Sequence, residues 1–326
     1  MTRHFWPLLL AAAFVPVTLA AQSNSVVSAG YTAPAPLYVA PGQVITLFVE
    51  GVGKTLTQAV RAPDGLWPAS LADISVTLLQ EAKIPVPILE VRPIVACSPP
   101  LSFEIPCGAM MAITVQIPYQ LLPLCPLCLR PVLPSPELVV TEKGQDGTAI
   151  GITPLADQVH MLTSCDILLQ TNPPSVNLTG LPCPFMVIHS DGQLVSAANP
   201  AKPGEELAAY AVGLGVTNPA AREGQPAPAP IQTVQTFLVD YNFRGNALPT
   251  KPDDQSPPAV FSGLVPNYPG LYQINFVVPA LPSGTKPCAN PGRLGAGANV
   301  VQSNLTVTFG GAFSFDGVLI CVASSN

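Results

Sequence analysis

The sequence is short of charge. Asp, Glu, Lys and Arg make up only 10% of its 326 residues. Its 13 basic side chains are scattered and outnumbered by 19 acidic ones. That leaves no electrostatic footprint for nucleic acid or anionic lipid. Histidine is scarce as well: His4, His160 and His189 are the whole set. The chain has no Gly-x-Ser-x-Gly elbow, no His-Glu-x-x-His helix and no Asp-x-Asp-x-Asp calcium run. Proline-free stretches are mostly short. With 40 prolines in the chain, and each interior proline costing a helix roughly 3 kcal/mol, long helices are excluded.

What is present is apolar sequence cut into short pieces. Hydrophobic residues reach 48%, so the prolines and the 25 glycines punctuate a packed protein rather than mark disorder. Tyr272, Ile274, Phe276 and Val278 alternate with Gln273 and Asn275 after the turn Pro266–Gly270, as in a half-buried strand. A fainter copy lies 161 residues earlier, where Ile113, Val115 and Ile117 alternate with Thr114 and Gln116. A second signature recurs at an offset of 162: Pro41-Gly42, a strand, then Gly51 and Gly53, against Pro203-Gly204, a strand, then Gly213 and Gly215. Two signatures in the same order at nearly the same spacing define a tandem repeat. The fold class expected is all-β: two tandem immunoglobulin-like sandwiches of about seven short strands each. Further strands are expected at Ile74–Leu79, Val86–Val91, Leu138–Thr141, Ala149–Thr153, Val234–Val239, Val260–Phe261, Leu305–Phe309 and Val318–Val322.

The first residues read as a secretory signal peptide. Arg3 and His4 precede the apolar run Phe5–Val17, and small residues allow cleavage after Ala20 or Ala21. Removal of residues 1–20 takes Arg3 away and leaves 12 basic against 19 acidic side chains. The apolar region Ala109–Leu133 is interrupted by Pro118, Pro123, Pro126 and Pro131, which excludes a membrane helix there. The organisation expected is a signal peptide (1–20), an N-terminal module (21–169), a linker (170–184) and a C-terminal module (185–326). The mature chain is placed outside the cell or at its surface, with the periplasm as the other option.

Eight cysteines follow the signal peptide, an even count that favours disulfides in an exported chain. Proximity pairs them as Cys97–Cys107, Cys125–Cys128, Cys165–Cys183 and Cys288–Cys321. The spacing Cys125-Pro126-Leu127-Cys128 also fits a thiol or zinc site, but the surrounding prolines deny the helix that a redox site needs.

The Pro203–Gly215 signature and the string Gly270-Leu271-Tyr272-Gln273-Ile274-Asn275 resemble an uncharacterised C-terminal domain of secreted bacterial proteins, described from Solibacter-type Acidobacteria. The likeness covers residues 185–326 well and residues 30–160 in degenerate form. It implies an exported β-sandwich module with no assigned activity, so no site residue is carried over from it.

The remaining chemistry is thin. A Ser–His–Asp hydrolase would draw on His160 or His189, with Asp157, Asp166, Ser190 and Asp191 nearby in sequence. Asp253-Asp254 and Asp146-Gly147 read as turn chemistry. Tyr241, Tyr268 and Tyr272 are candidates for a carbohydrate-binding face. The function expected is a non-catalytic structural, adhesive or binding module, without cofactor or metal, whose partner is an extracellular protein or glycan. The alternatives are a secreted hydrolase or carbohydrate-active protein, and a periplasmic thiol or metal protein using Cys125 and Cys128.

Overall fold

The computed structural model describes residues 25–29, 37–94, 110–122, 135–166, 183–288 and 303–323. The expected signal peptide, Cys97, Cys107, Cys125, Cys128 and most of the expected 170–184 linker lie outside these residues. Among the described residues there are strands and no α-helix.

The N-terminal half folds as β1 (Ser25–Ala29), β2 (Leu37–Val39), β3 (Val44–Glu50), β4 (Val60–Arg61), β5 (Ser70–Leu71), β6 (Ile74–Leu79), β7 (Lys83–Val86), β8 (Ile88–Pro93), β9 (Met110–Gln116), β10 (Glu137–Glu142), β11 (Gln145–Asp146) and β12 (Ile150–Pro154). One sheet runs β1-β3-β9-β8-β4 and the facing one β2-β12-β10-β6-β5, with β7 on β6 and β11 on β10. The C-terminal half follows with β13 (His160–Met161), β14 (Val187–Ile188), β15 (Glu206–Val212), β16 (Thr217–Asn218), β17 (Ile231–Thr233), β18 (Leu238–Asn242), β19 (Phe261–Leu264), β20 (Tyr272–Val277), β21 (Leu305–Gly310) and β22 (Phe315–Ile320). Its larger sheet runs β13-β15-β20-β19-β17-β16, with β14 also on β15, and its smaller sheet β18-β21-β22.

Both halves carry the A-B-E-D and C-F-G strand sets of an immunoglobulin-like sandwich. In the first, β1-β3-β9-β8 faces β6-β10-β12; in the second, β14-β15-β20-β19 faces β18-β21-β22. In both, a leading segment crosses to pair in parallel with the last strand. In the first half β2 pairs with β12; in the second Ala201 bridges Val322. The two repeated signatures fall on the central strand pair of each module, with Leu47 opposite Ile113 and Ala209 opposite Ile274. The repeat is therefore one of paired strands, which is why the two offsets match so closely.

Period-two burial is plain in β6 and β20, whose inward residues Ile74, Val76, Leu78, Tyr272, Ile274 and Phe276 are almost wholly buried. Strands β9 and β21 are buried on both faces. Over β21 the segment 243–258 supplies the cover: Thr306 Oγ1 donates to the Ala247 carbonyl, and Pro252 packs on Gly310. Each module has its own apolar core, the second including an edge-on contact of Phe276 and Phe309 at 5.3 Å between ring centroids.

Two expected strands differ from those observed. Val86–Val91 is two strands, because Pro87 has no N–H to donate and the chain changes sheets there; β7 pairs with β6, while β8 pairs with β9. Of Val234–Val239 only Leu238 and Val239 are in a strand, the start of β18, and Val234 is 61% exposed in the connection that follows β17.

The passage from one module to the other lies earlier than expected. Leu155 N still donates to Val39 O in the first module, but Gln158 N donates to Gly213 O and β13 pairs with β15 in the second. Hydrogen bonding thus assigns His160–Met161 to the C-terminal sheet, although the composition break sits at 170–184. Gly213 and Gly215 show why glycine stands at this end of β15. Both have positive φ, and a Cβ on either would collide with the carbonyl of Gln158 or Ala156.

A third apolar cluster joins the modules. Val44, Ala62, Trp67 and Leu89 from the first pack with Leu162, Val212, Val265 and Leu271 from the second. Polar bonds surround it. Gln116, wholly buried, accepts from Gly224 N at 2.7 Å and donates to Gly42 O. Trp67 N donates to Gly224 O, and Tyr119 N to Glu223. The Tyr119 hydroxyl lies 3.5 Å from that of Tyr272, and burial pushes the Tyr119 phenol up to about 12.

Candidate functional site

Asp157 lies in the crossing segment and is fully buried. Its carboxylate accepts from the backbone N–H groups of Ala312, Phe313 and Ser314 and from the Ser314 hydroxyl. The carboxylate thus closes the tip of the β21–β22 hairpin. Ser314 Oγ also accepts from Val159 N at 2.7 Å, so its hydroxyl is held on both sides.

His160 sits beside this clamp. Its Nδ1 is 3.5 Å from Asp316 Oδ2 and its Nε2 3.6 Å from Asp166 Oδ1. Both carboxylates already serve the backbone: Asp316 accepts from Met161 N, and Asp166 from the N–H and hydroxyl of Thr163. Serine, histidine and aspartate therefore do gather here, but Ser314 is bonded to Asp157 rather than to the ring. Cys165 and Cys183 form a disulfide at the end of the same segment, and Cys288 and Cys321 form another.

His189 is bound differently. Nδ1 is 2.6 Å from Glu205 Oε1 and Nε2 3.2 Å from the Asn199 carbonyl. Both partners can only accept, so the arrangement suits an imidazolium that donates twice, and neither nitrogen is left for the hydroxyl of Ser190. Burial alone would pull the His189 pKa down. The Glu205 hydrogen bond, with the Asn199 carbonyl and the charges of Glu205 and Asp191, outweighs it and raises the value. For Glu205 burial pushes up, but His189, the Lys202 N–H and the Lys202 charge hold it below the usual carboxylate value. A raised histidine stabilises the fold below its unfolded pKa and loses that contribution as pH rises through the folded value. A lowered carboxylate stabilises above its unfolded pKa and loses that contribution as pH falls through its folded value. The contribution of this pair is therefore full between the ordinary values of 4.5 and 6.5. Thermal melts across pH are expected to show a plateau there that Glu205→Gln removes. Superimposable profiles for wild type and Glu205→Gln would count against the pairing.

The outward face of β15 and β20 is shared between two uses. At one end Val212, Leu271 and half-buried Tyr210 meet the first module. At the other end a groove of about 380 Å³ stays open, lined by His189, Ser190, Glu206, Ala208, Gln273 and Asn275. Three of these form a chain: Gln273 Nε2 donates to Asn275 Oδ1 at 2.6 Å, and Asn275 Nδ2 to Glu206 Oε1 at 2.9 Å. Phe261 lies directly across from Asn275 on β19. A second, polar recess of about 340 Å³ is lined by Asn218, Gln232, Thr233, Gln235 and Ser262. Its Thr233 and Ser262 hydroxyls are bonded to each other at 2.7 Å.

The tyrosines named from sequence are distributed otherwise. Tyr272 is wholly buried and donates to Gly215 O at 2.6 Å. Tyr241 is partly buried and donates to Val277 O. Tyr268 is 55% exposed. Asp253 accepts from Gln255 N, and Asp146 from the Thr141 hydroxyl, as turn residues do. Glu90, missed in sequence, is fully buried on β8, 3.3 Å from Arg92 and 3.6 Å from Arg61. Burial raises its carboxyl pKa, with the two arginines pulling the other way. Among the described residues no cluster of side chains is arranged to hold a metal ion.

The class defined by this architecture is a pair of tandem immunoglobulin-like β-sandwiches carrying disulfides. No family model and no curated protein matches the chain. Among solved structures it is similar to FdeC, a broadly conserved adhesin of Escherichia coli, at 11% identity and a TM-score of 0.23. That match covers 89% of this chain and 62% of the adhesin chain. It is also similar to a type I pullulanase from Bacillus subtilis complexed with maltose, at 9% identity and a TM-score of 0.19. There the match covers 87% of this chain and 24% of the other.

Proposed function

We propose that the chain is an exported, non-catalytic binding or adhesive module whose contact face is the Glu206–Gln273–Asn275 groove, and that its partner is an extracellular protein or glycan. One observation carries the reading. The outward side chains of β20 stay accessible, while their counterparts on β9, Ala112 and Thr114, are buried. The repeat thus keeps this face open in one module only. The disulfides Cys165–Cys183 and Cys288–Cys321 support export, because such bonds persist in oxidising compartments. The engagement of both rings, His160 with two carboxylates and His189 with Glu205 and Asn199, supports a non-catalytic role.

The test is attachment of the labelled full chain to glycan-coated and protein-coated surfaces, compared with Glu206→Gln and Gln273→Ala. Each variant is expected to lose about tenfold in affinity, near 1.4 kcal/mol, with an unchanged melting temperature. Undiminished attachment by both variants would remove the groove from the reading. A turnover reaction abolished by His160→Ala or His189→Ala would overturn the non-catalytic part.

A further inference from the structure

We infer that the groove takes a neutral saccharide, a conclusion that rests on the reading of this face as the binding surface. Opposite residues share a face, and the register sets Phe261, Asn275, Ala208 and Ile188 in one row. The next row holds Gly263, Gln273 and Tyr210. A Cβ on Gly263 would lie 2.6 Å from Phe261 Cζ, so the Phe261 ring occupies the space a side chain there would fill. The absent side chain lets the ring lie along the sheet beside the two amides. Ala208 keeps the floor low between Asn275 and β14.

The polar groups are oriented before any ligand arrives. Gln273 donates to Asn275 and Asn275 to Glu206, which fixes both amide planes. Each amide retains a second N–H, Gln273 retains its carbonyl, and Glu206 retains its other oxygen. Donors and acceptors thus alternate over one flat patch. A sugar ring offers the same alternation in its hydroxyls and an apolar C–H face for an aromatic ring to cover.

A basic peptide is the nearest competitor. Among the described residues Glu206 has no cationic salt-bridge partner, which alone would favour a lysine or arginine of a basic peptide. His189 lines the same groove but is paired with Glu205 at 2.6 Å, and Glu206 itself already accepts from the neutral Asn275 amide. A protein hot spot is anchored by a large apolar or aromatic side chain in a well-packed pocket, whereas five of the eight residues lining this groove are polar. Neutral hydroxyls fit both facts.

The experiment is isothermal titration of the full chain with neutral hexose and N-acetylhexosamine oligomers, and separately with a lysine-rich peptide, at low and high NaCl. Saccharide binding that is unchanged by salt and falls about tenfold or more in Asn275→Ala and Glu206→Gln, both of them surface changes, is the expected result. Phe261→Ala, checked for an unchanged melt, should weaken it similarly. Peptide binding alone, lost at high salt, would overturn the saccharide while leaving the groove as the contact face. So would groove-dependent attachment to protein-coated surfaces without any saccharide binding. Saccharide binding that all three variants retain would overturn both readings.

Discussion

Asp157→Ala is expected to be among the most destabilising single changes in this protein. The carboxylate is fully buried and answers three consecutive backbone N–H groups of the β21–β22 turn and one hydroxyl. A hydrogen bond to a charged group contributes about 1.5–3 kcal/mol, and donors left unsatisfied in the interior add to the loss. A total near 3–5 kcal/mol is the expected scale, because the bonds are not additive. For a chain of this size each kcal/mol lowers the melting temperature by roughly 2–4 °C. Asp157→Asn keeps one accepting oxygen and should fall between. Chemical denaturation that places Asp157→Ala within about 1 kcal/mol of wild type would show that the turn holds itself closed without the clamp.

The second large effect concerns where the C-terminal module starts. Residues 185–326 look complete from composition, yet they omit Asp157, β13 and the Cys165–Cys183 disulfide. Expressed alone, that fragment should melt far below one that begins at residue 155. The shorter fragment loses the strand paired with Ala211 and Val212 and the carboxylate that closes the hairpin. Both fragments expose Val212, Val265 and Leu271, which the first module covers in the full chain, so that cost cancels in the comparison. Equal stability of the two fragments would mean that residues 155–166 belong to neither core in an energetic sense.

The repeat was legible because it is local. The Pro-Gly turn, the alternation and the paired glycines are each written within about a dozen residues, and they fall on β3, β9, β15 and β20. Ile74–Leu79 was legible for the same reason, since strict alternation matches burial on one face. The exchange of sheets at Pro87 was hidden because a strand that crosses between sheets keeps its apolar character on both sides. Asp157 and Gln116 were hidden more deeply, since their partners lie 155 and 108 residues away, and nothing near them in sequence marks the contact. The groove was half legible. Alternation sets Gln273 and Asn275 on the outward face, but only the fold brings Glu206, Phe261 and His189 beside them. Tyr272 carried two readings: alternation sets it on the apolar face with Ile274 and Phe276, while its hydroxyl suits a carbohydrate-binding face; it is buried, and the hydroxyl finds the Gly215 carbonyl inside.

The crossing of a leading segment to the last strand has a mechanical consequence. In the first module Leu37, Tyr38 and Val39 lie parallel to Ile152, Thr153 and Pro154. In the second, Ala201 is bonded in parallel fashion to Cys321 and Ala323. Once tension has passed the leading strands β1 and β13, it therefore meets in each sandwich two segments that point the same way. Tension loads their shared hydrogen bonds together, in shear, instead of peeling them apart one at a time. A tether built this way resists stretching at these paired segments before the strands between them are disturbed.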